Sequence, residues 1–562
     1  MAQTAQQLTD QRAQYDAERP KSIVELQPFR QETAAVLPDS GKALRLISLN
    51  PASNGWFLVL IGDDGAKDLE TYHIENPDPK GQRISLSSDP EPALVIAGKT
   101  ATTRCVPWTG APSQLVTAQD NGLPYAAICD GKLTLRNKVS GAQSTLERTT
   151  GFLRDNIWGG DKIVGFVKST FYKDAYAENG KTVAADGTPE KEQADVAAQI
   201  GPALSSHPVV TTDLGFGLVG PEAGEMSLGL WYPVAGLDGV FASAIRPNAI
   251  NAEILKGPGT VNPLDRVEAR ANDYMIAFDL SRFDLGYAVG TDHPRLDWSP
   301  RPPSSVRSGK LPGPDGVGSP APLVMTGMVG PALAGQTIAT FAGGFKRRHG
   351  AFKWGPFSTV NRGSHYGFIE QGVILSKLQP GLSTLYVLND GTINMKAWSR
   401  EDDETLLPNI RFARQNGVPI LETDPATGLG LPGALVTQWG AGNWSGSADA
   451  QLRTLRAGAC LKESGGHRFL VYGYFSTATP SAMARTFQAY GCTFAMQLDM
   501  NAPVLTYMAL YLRSDGTVQV EHLVPSMSEA DAKDRKGNLL PRFVGFADNR
   551  DLFYLVRKED QP

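Results

Sequence analysis

The sequence predicts an α+β protein in which a β-rich N-terminal domain precedes a mixed-sheet domain. Three observations predict it. Short apolar runs recur along both halves, separated by turn signals such as DDG, NPD and DGK. Gly and Pro, 59 and 39 of the 562 residues, make up about 17% of the chain against a usual share near 12%, which favours turns and strands over helix bundles. Helical patterning is confined to a few windows, of which SAMARTFQAYG at 481–491 is the clearest.

In chain order, residues 1–20 are polar with a weak helical period and read as a surface helix. From Lys42 the runs ALRLISL, GWFLVLIGDDG, HIENPDPKG, PALVIAG and PYAAICDGKLTLRN read as strands. Longer helical windows over 144–176 close an N-terminal domain assigned to residues 1–176. Residues 177–225 are rich in Ala, Gly, Pro, Glu and Lys, with one helix expected in PEKEQADVAAQIG, and read as a linker or domain-crossing segment. The remainder, 226–562, is the second domain. Its SLGLWYPV and YMIAFDLSRFDLGYAVG alternate apolar and polar residues as half-buried strands do. The piece HPRLDWSPRPPSSVRSGKLPGPDG is an extended loop, because prolines deny ladder hydrogen bonds. Gly316 to Phe345 is uncharged, yet Pro320, Pro322 and Pro331 exclude a membrane span, leaving a loop followed by a buried strand. QTIATFAGGF, HYGFIEQGVIL, STLYVLNDGTINM and ALVTQWG follow as strands. The helix at 481–491, with Ser481 as N-cap and Gly491 at C′, feeds the strand CTFAMQLDMN, which carries Asp499 to a sheet end.

A net charge of −5 and a pI near 5.9 supply no global basic field, so nucleic acid is not the expected partner. The four cysteines lack CxxC spacing. They fall into two local pairs, Cys105 with Cys129 and Cys460 with Cys492, which suits two disulfides in an oxidising compartment. Met1 to Pro20 contain no basic segment followed by an apolar one, so the chain is expected to be either cytosolic or a mature form whose signal has been removed. No GxSxG elbow, P-loop, HExxH or strand-to-helix GxGxxG occurs, and the seven histidines are scattered singly, so neither a cofactor nor a metal site is expected.

An ordered set in the second half goes further: FDLSRFDLGYAVG, FAGGF at 341–345, GFIEQGVIL, LNDGTINM, LRTLRAGAC at 452–460 and MARTFQAYGCTFAMQLDMN. This succession resembles the phosphodiester glycosidase family over residues 226–558. In that family a strand ends in an NGGFF-like motif, an R-x-A-x-G strand follows, and a helix leads into a strand ending LDGGGSS. Gly343, Gly344 and Phe345 match the first motif, with Ala342 in place of Asn. Arg456, Ala457 and Gly458 resemble the second, with Arg453 as the alternative alignment. Gln497, Leu498 and Asp499 match the start of the third, but Met500, Asn501, Ala502 and Pro503 replace its glycines, and this segment is expected not to adopt a φ > 0 turn without strain. The resemblance implies a phosphodiester-glycosidase-like second domain and a secreted or periplasmic hydrolase acting on an extracellular or cell-envelope glycan.

Asp499, an acid at the end of an apolar strand, is the expected acid/base or nucleophile. Glycoside cleavage needs a second carboxylate facing it, and Glu370, Glu422 and Asp424 are the candidates. Arg456 can clamp an anionic or polyhydroxylated substrate, and the run Lys346, Arg347, Arg348, His349 can form an anion-binding edge or a solvated loop. His365 lies between two glycines, Asn501 and Tyr507 follow Asp499 closely, and Trp354, Trp398, Trp439 and Trp444 offer faces for stacking on sugars. A non-catalytic glycan-binding or biofilm protein on a decayed enzyme scaffold is the alternative.

Overall fold

A computed structural model of the chain describes residues 5–66, 69–145, 147–149, 172–185, 202–221, 224–294, 296, 298, 311, 313, 316–347, 366–438, 451–514 and 517–558. The helix expected in 189–201, most of the helical windows over 144–176, most of the proline-rich loop, and Arg348, His349, Trp354, His365, Trp439 and Trp444 lie outside the described residues. No helix among those described is long and apolar enough to cross a membrane.

Within the first twenty residues, Ala5–Glu18 form a helix, as their period predicts. The β-rich stretch after it builds a six-stranded sheet in the spatial order Gln31–Val36, Ala43–Ser48, Trp56–Gly62, Glu70–Glu75, Leu133–Arg136 and Tyr125–Ile128, with a three-stranded companion, Gln82–Ser87, Ala93–Gly98 and Thr102–Cys105. Strand periodicity sorts the apolar residues onto two faces. Phe57, Val59 and Ile61 point into a core with Leu94, Ile96 and Leu133, while Trp56 and Leu58 join the large core of the second half. The sheet is therefore apolar on both sides and packs against the second half of the chain. Residues 177–225 contribute Thr182–Ala184 and Val209–Thr211 to a small sheet completed by Glu225–Ser227.

The second half is layered. Eight strands lie in the order Tyr232–Pro233, Val240–Ile245, Asp273–Asp279, His467–Ala478, Thr454–Ser464, Phe494–Met500, Leu421–Thr423 and Gly430–Pro432. One face carries the helix Pro480–Ala489, which approaches closely because the register pairs Gly458 with Gly473 on adjacent strands. A Cβ on Gly458 would stand 2.9 Å from Met483 Cε, and one on Gly473 2.9 Å from Phe487. The other face meets a five-stranded sheet, Phe283–Ala288, Leu552–Arg557, Thr337–Ala342, Met508–Ser514 and Thr517–His522, with the Phe341 and Tyr472 rings 5.4 Å apart between the layers. A third sheet of five strands, Val373–Ser376, Phe368–Glu370, Ile410–Gln415, Ser383–Leu388 and Ile393–Ala397, flanks these.

Several expectations are corrected. The sheets are not mixed: every ladder among the described strands is antiparallel, parallel pairing being confined to the isolated bridges Ala142 to Asp548 and Arg542 to Phe546. Asp273–Asp279 is buried at every position rather than half-buried, because its sheet is covered on both faces. The described part of ALVTQWG, 434–438, forms turns rather than a strand, since Pro432 ends the edge strand before it. The helix after residue 478 is capped by Thr479 rather than Ser481. Pro480 occupies its first position, so the cap falls one residue earlier, and Thr479 Oγ1 accepts from Ala482 N at 3.2 Å. Gly491 does sit just past the C-cap Tyr490, with φ +70°. Both expected disulfides form, Cys105–Cys129 and Cys460–Cys492, with Cα atoms 5.6 and 5.9 Å apart.

Candidate active site

Three chain segments converge where Phe494–Met500 ends, Thr337–Ala342 ends and Leu552–Arg557 begins. Asp499, 3% exposed, ion-pairs with Nη1 of Arg550 and accepts from Met500 N at 2.8 Å. The same guanidinium donates from Nε to Glu147 Oε1 at 2.5 Å. Glu147 owes its placement to local sequence: Ser144 and Glu147 form a capping box, with Ser144 N donating to Oε2 at 3.1 Å and Glu147 N donating to Ser144 Oγ at 3.2 Å. Lys346 lies 3.6 Å from Glu147 and 2.8 Å from Asp292. Behind Arg550, Asp548 accepts its backbone N–H at 2.8 Å and pairs with Arg542 at 2.8 and 3.1 Å. The result is an alternating row, Asp499, Arg550, Glu147, Lys346, Asp292, buried at its first two members and half-buried at the last three.

The two carboxylates on Arg550 are driven apart electrostatically. Burial dominates at Asp499 and holds its pKa above the usual carboxylate range, although Arg550 pulls the other way. Burial also opposes ionisation of Glu147, but Arg550, Lys346 and Arg542 together outweigh it and hold that carboxyl well below the usual range. One acid thus holds its proton more tightly than a free carboxyl does, and its neighbour less tightly. Nearby His293 is kept neutral by burial, its pKa pulled down to about 3.

All three motifs that carry the family resemblance meet here, joined by residues outside them. Asn416 donates to the carbonyls of Gln497 and Leu498 at 2.6 and 2.8 Å and accepts from Phe345 N at 3.2 Å, tying the GGF turn to the Asp499 strand. Arg414, fully buried, pairs with Asp551 at 2.8 Å and donates to Phe345 O at 2.5 Å. The turn requires glycine: Gly344 has φ +135°, and a Cβ there would stand 2.9 Å from Asn416 Cγ. From the second motif, Arg456 reaches Gln497 Oε1 at 3.1 Å, and its other donors go to the carbonyls of Ala478 and Leu452 at 2.7 and 3.0 Å. Desolvation lowers the pKa of this buried guanidinium to about 9. The Met-Asn-Ala-Pro segment does turn through positive φ, at Asn501 with φ +85° and its N–H on Leu455 O at 2.8 Å, so the strain expected of this turn falls on the residue that tolerates the region better than others with a Cβ.

The remaining predicted residues are spread out. Glu370 is buried 3.6 Å from Arg136 and accepts from Val289 N at 2.8 Å, outside the Asp499 row. Glu422 sits on Leu421–Thr423, accepting from Ala434 N at 3.2 Å, and Asp424 accepts from Thr427 Oγ1 at 2.6 Å in an exposed turn. Arg453 pairs with Asp174 and Asp265. Tyr507 is buried and donates to Asp531 at 2.9 Å, and Trp398 is buried with its Nε1 on Asp403. Arg347, next to Lys346, is buried against Ser376. Sequence reading missed Glu147, Asp292, Arg414, Asn416, Arg550 and Asp551. Two signals were available, the S-x-x-E capping box at 144–147 and the polar run DNRD at 548–551 just before an apolar strand.

No family model matches the chain, and no curated protein matches it. Solved structures that align with it include two at 10% identity. One is the zebrafish N-acetylglucosamine-1-phosphodiester alpha-N-acetylglucosaminidase catalytic domain auto-inhibited by its pro-peptide, over 58% of this chain and 85% of that one with a TM-score of 0.27. The other is a hypothetical protein from Synechocystis, over 92% and 98% of the two chains with a TM-score of 0.25.

Proposed function

We propose that the protein is a secreted or periplasmic glycoside hydrolase that cleaves a glycosidic bond, in a sugar phosphodiester or a polysaccharide, of an extracellular or cell-envelope glycan. The observation that carries this is the carboxylate pair on Arg550, with Asp499 held above the usual carboxylate range and Glu147 below it. Opposed pKa shifts in neighbouring acids are the signature of an acid and a base with separate tasks. Asp499 gives its proton to the leaving oxygen as the bond to the anomeric carbon breaks. Glu147 takes a proton from the water whose oxygen joins that carbon. Arg550 and Lys346 place positive charge where a phosphate leaving group would carry its negative charge, which supports the phosphodiester form of the substrate. Arg456 holds the Asp499 strand in register through Gln497. The two disulfides support an oxidising compartment.

A second reading has its own observation. Asp499 and Arg550 are 3% and 5% exposed and paired to each other, as a structural ion pair would be in a glycan-binding protein that has lost catalysis. The two are separated by incubating the protein and its Glu147→Gln variant with a panel of sugar phosphodiesters and envelope polysaccharides and detecting new reducing ends by mass spectrometry. Release by the wild type alone supports the hydrolase, and binding without release by either protein supports the second reading.

A further inference from the structure

A groove of about 830 Å³ lies at the other end of the five-stranded sheet from Asp499. The strand Leu552–Arg557 connects the two places: Asp551 adjoins the Asp499 site, and Arg557 lines the groove about 20 Å away at 3.3 Å per residue. The loop 77–81 and Lys99 form one wall, and the 466–468 turn with Arg557 and Lys558 forms another, so both halves of the chain build it.

Its charge is not balanced internally. Lys80 and Lys558 share one carboxylate, Asp284, at 3.4 and 4.0 Å. Lys99, Arg411 and Arg557 line the groove with no ion-pair partner among the described residues. Arg411 is the most informative of these. Its Nε is committed to Gln371 at 3.1 Å and its guanidinium carbon sits 5.0 Å from the Phe412 ring, which leaves the terminal nitrogens as a forked donor held in place. Asp284, Glu75 and Asp78 act on Arg411 from a distance, but none is in contact with it, so its fork is open to an anionic ligand. Asp78 and Asp390 also line the groove, and they would repel a densely charged polyanion while accepting hydrogen bonds from hydroxyls. Donor forks interleaved with carboxylate acceptors match a chain in which acidic groups alternate with sugar hydroxyls.

We propose that this groove is a binding site for an acidic glycan, separate from the site at Asp499. The proposal does not depend on hydrolysis, because binding is read directly. The test is titration calorimetry with an oligogalacturonate, with its fully methyl-esterified neutral form, and with a single-stranded oligonucleotide of similar charge. The expected result is salt-sensitive binding of the oligogalacturonate, weakened about tenfold in the exposed double variant Lys99→Ser/Arg557→Ser and again in Arg411→Gln, with the methyl ester binding far more weakly. No binding, equal binding of the ester, indifference to the Lys99/Arg557 pair, or tighter binding of the oligonucleotide would each overturn the proposal.

Discussion

Asn501 offers the sharpest test of how the chain turns after Asp499. With φ +85° it occupies backbone space that costs an ordinary L-residue roughly 1–2 kcal/mol. Asn501→Gly relieves that strain but adds about 0.4–1 kcal/mol of unfolded-state entropy and loses the 3.3 Å bond from Thr454 Oγ1 to Asn501 Oδ1, a contact at the weak end of the roughly 0.5–1.5 kcal/mol range. These terms nearly cancel, so the glycine variant should lie within about 0.5 kcal/mol of wild type. Asn501→Ala keeps the strain, lacks asparagine's tolerance and loses the same bond, which amounts to about 1 kcal/mol of destabilisation. Asn501→Val adds β-branching and should cost about 2 kcal/mol or more. Urea midpoints at fixed m-value should therefore fall in the order Gly and Asn, then Ala, then Val. Alanine matching glycine would refute the claim that the positive φ is enforced by the surroundings.

Three further outcomes rest on buried charges and cross-links. Arg414→Met leaves Asp551 buried without its cation and should cost about 3–5 kcal/mol, part of which returns in Arg414→Met/Asp551→Asn, as urea unfolding of the single and double variants would show. Burial lifts the Glu370 carboxyl to about 7 even with Arg136 beside it, so the folded chain keeps a proton that the unfolded chain releases near 4.5. Stability from this group therefore falls as pH rises from about 4.5 towards 7, and thermal melts across that window should show a shallower slope in Glu370→Gln. The Cys460–Cys492 bridge closes 32 residues, and the double serine variant should lose about 3–4 kcal/mol on loop entropy, read as a lower melting temperature that reductant then changes only through Cys105–Cys129.

Much of the strand framework was legible because it rests on local signals. Trp56–Gly62, Ala93–Gly98 and Phe494–Met500 announce themselves as apolar runs between turn residues, and the two cysteine pairs by their spacing. What local pattern cannot convey is which face of a strand is covered by a distant layer. This is why Asp273–Asp279, polar at both ends, reads as half-buried although another sheet and a helix enclose its own. The candidate site divides along the same line. Asp499 and the GGF turn carry motif signals, whereas Glu147 reaches Arg550 across 403 positions and Asn416 reaches Gln497 across 81. Nothing in the spacing of single acids and amides marks such partners. The sequence likewise suggested Glu370 and Glu422 as partners for Asp499, because strand-end acids look alike until the fold decides which ones share a cation.

Whether the buried Asp499 donates a proton or merely pairs with Arg550 is decided by the rate of reducing-end release from a sugar phosphodiester by wild type and by Asp499→Asn, with urea midpoints taken on the same two preparations. A proton-donating Asp499 gives release by the wild type and a loss of about 10²-fold or more in a variant that still folds cooperatively, the size expected for a missing general acid. Equal release by both proteins, or no release by either with the midpoint alone reduced, would contradict it.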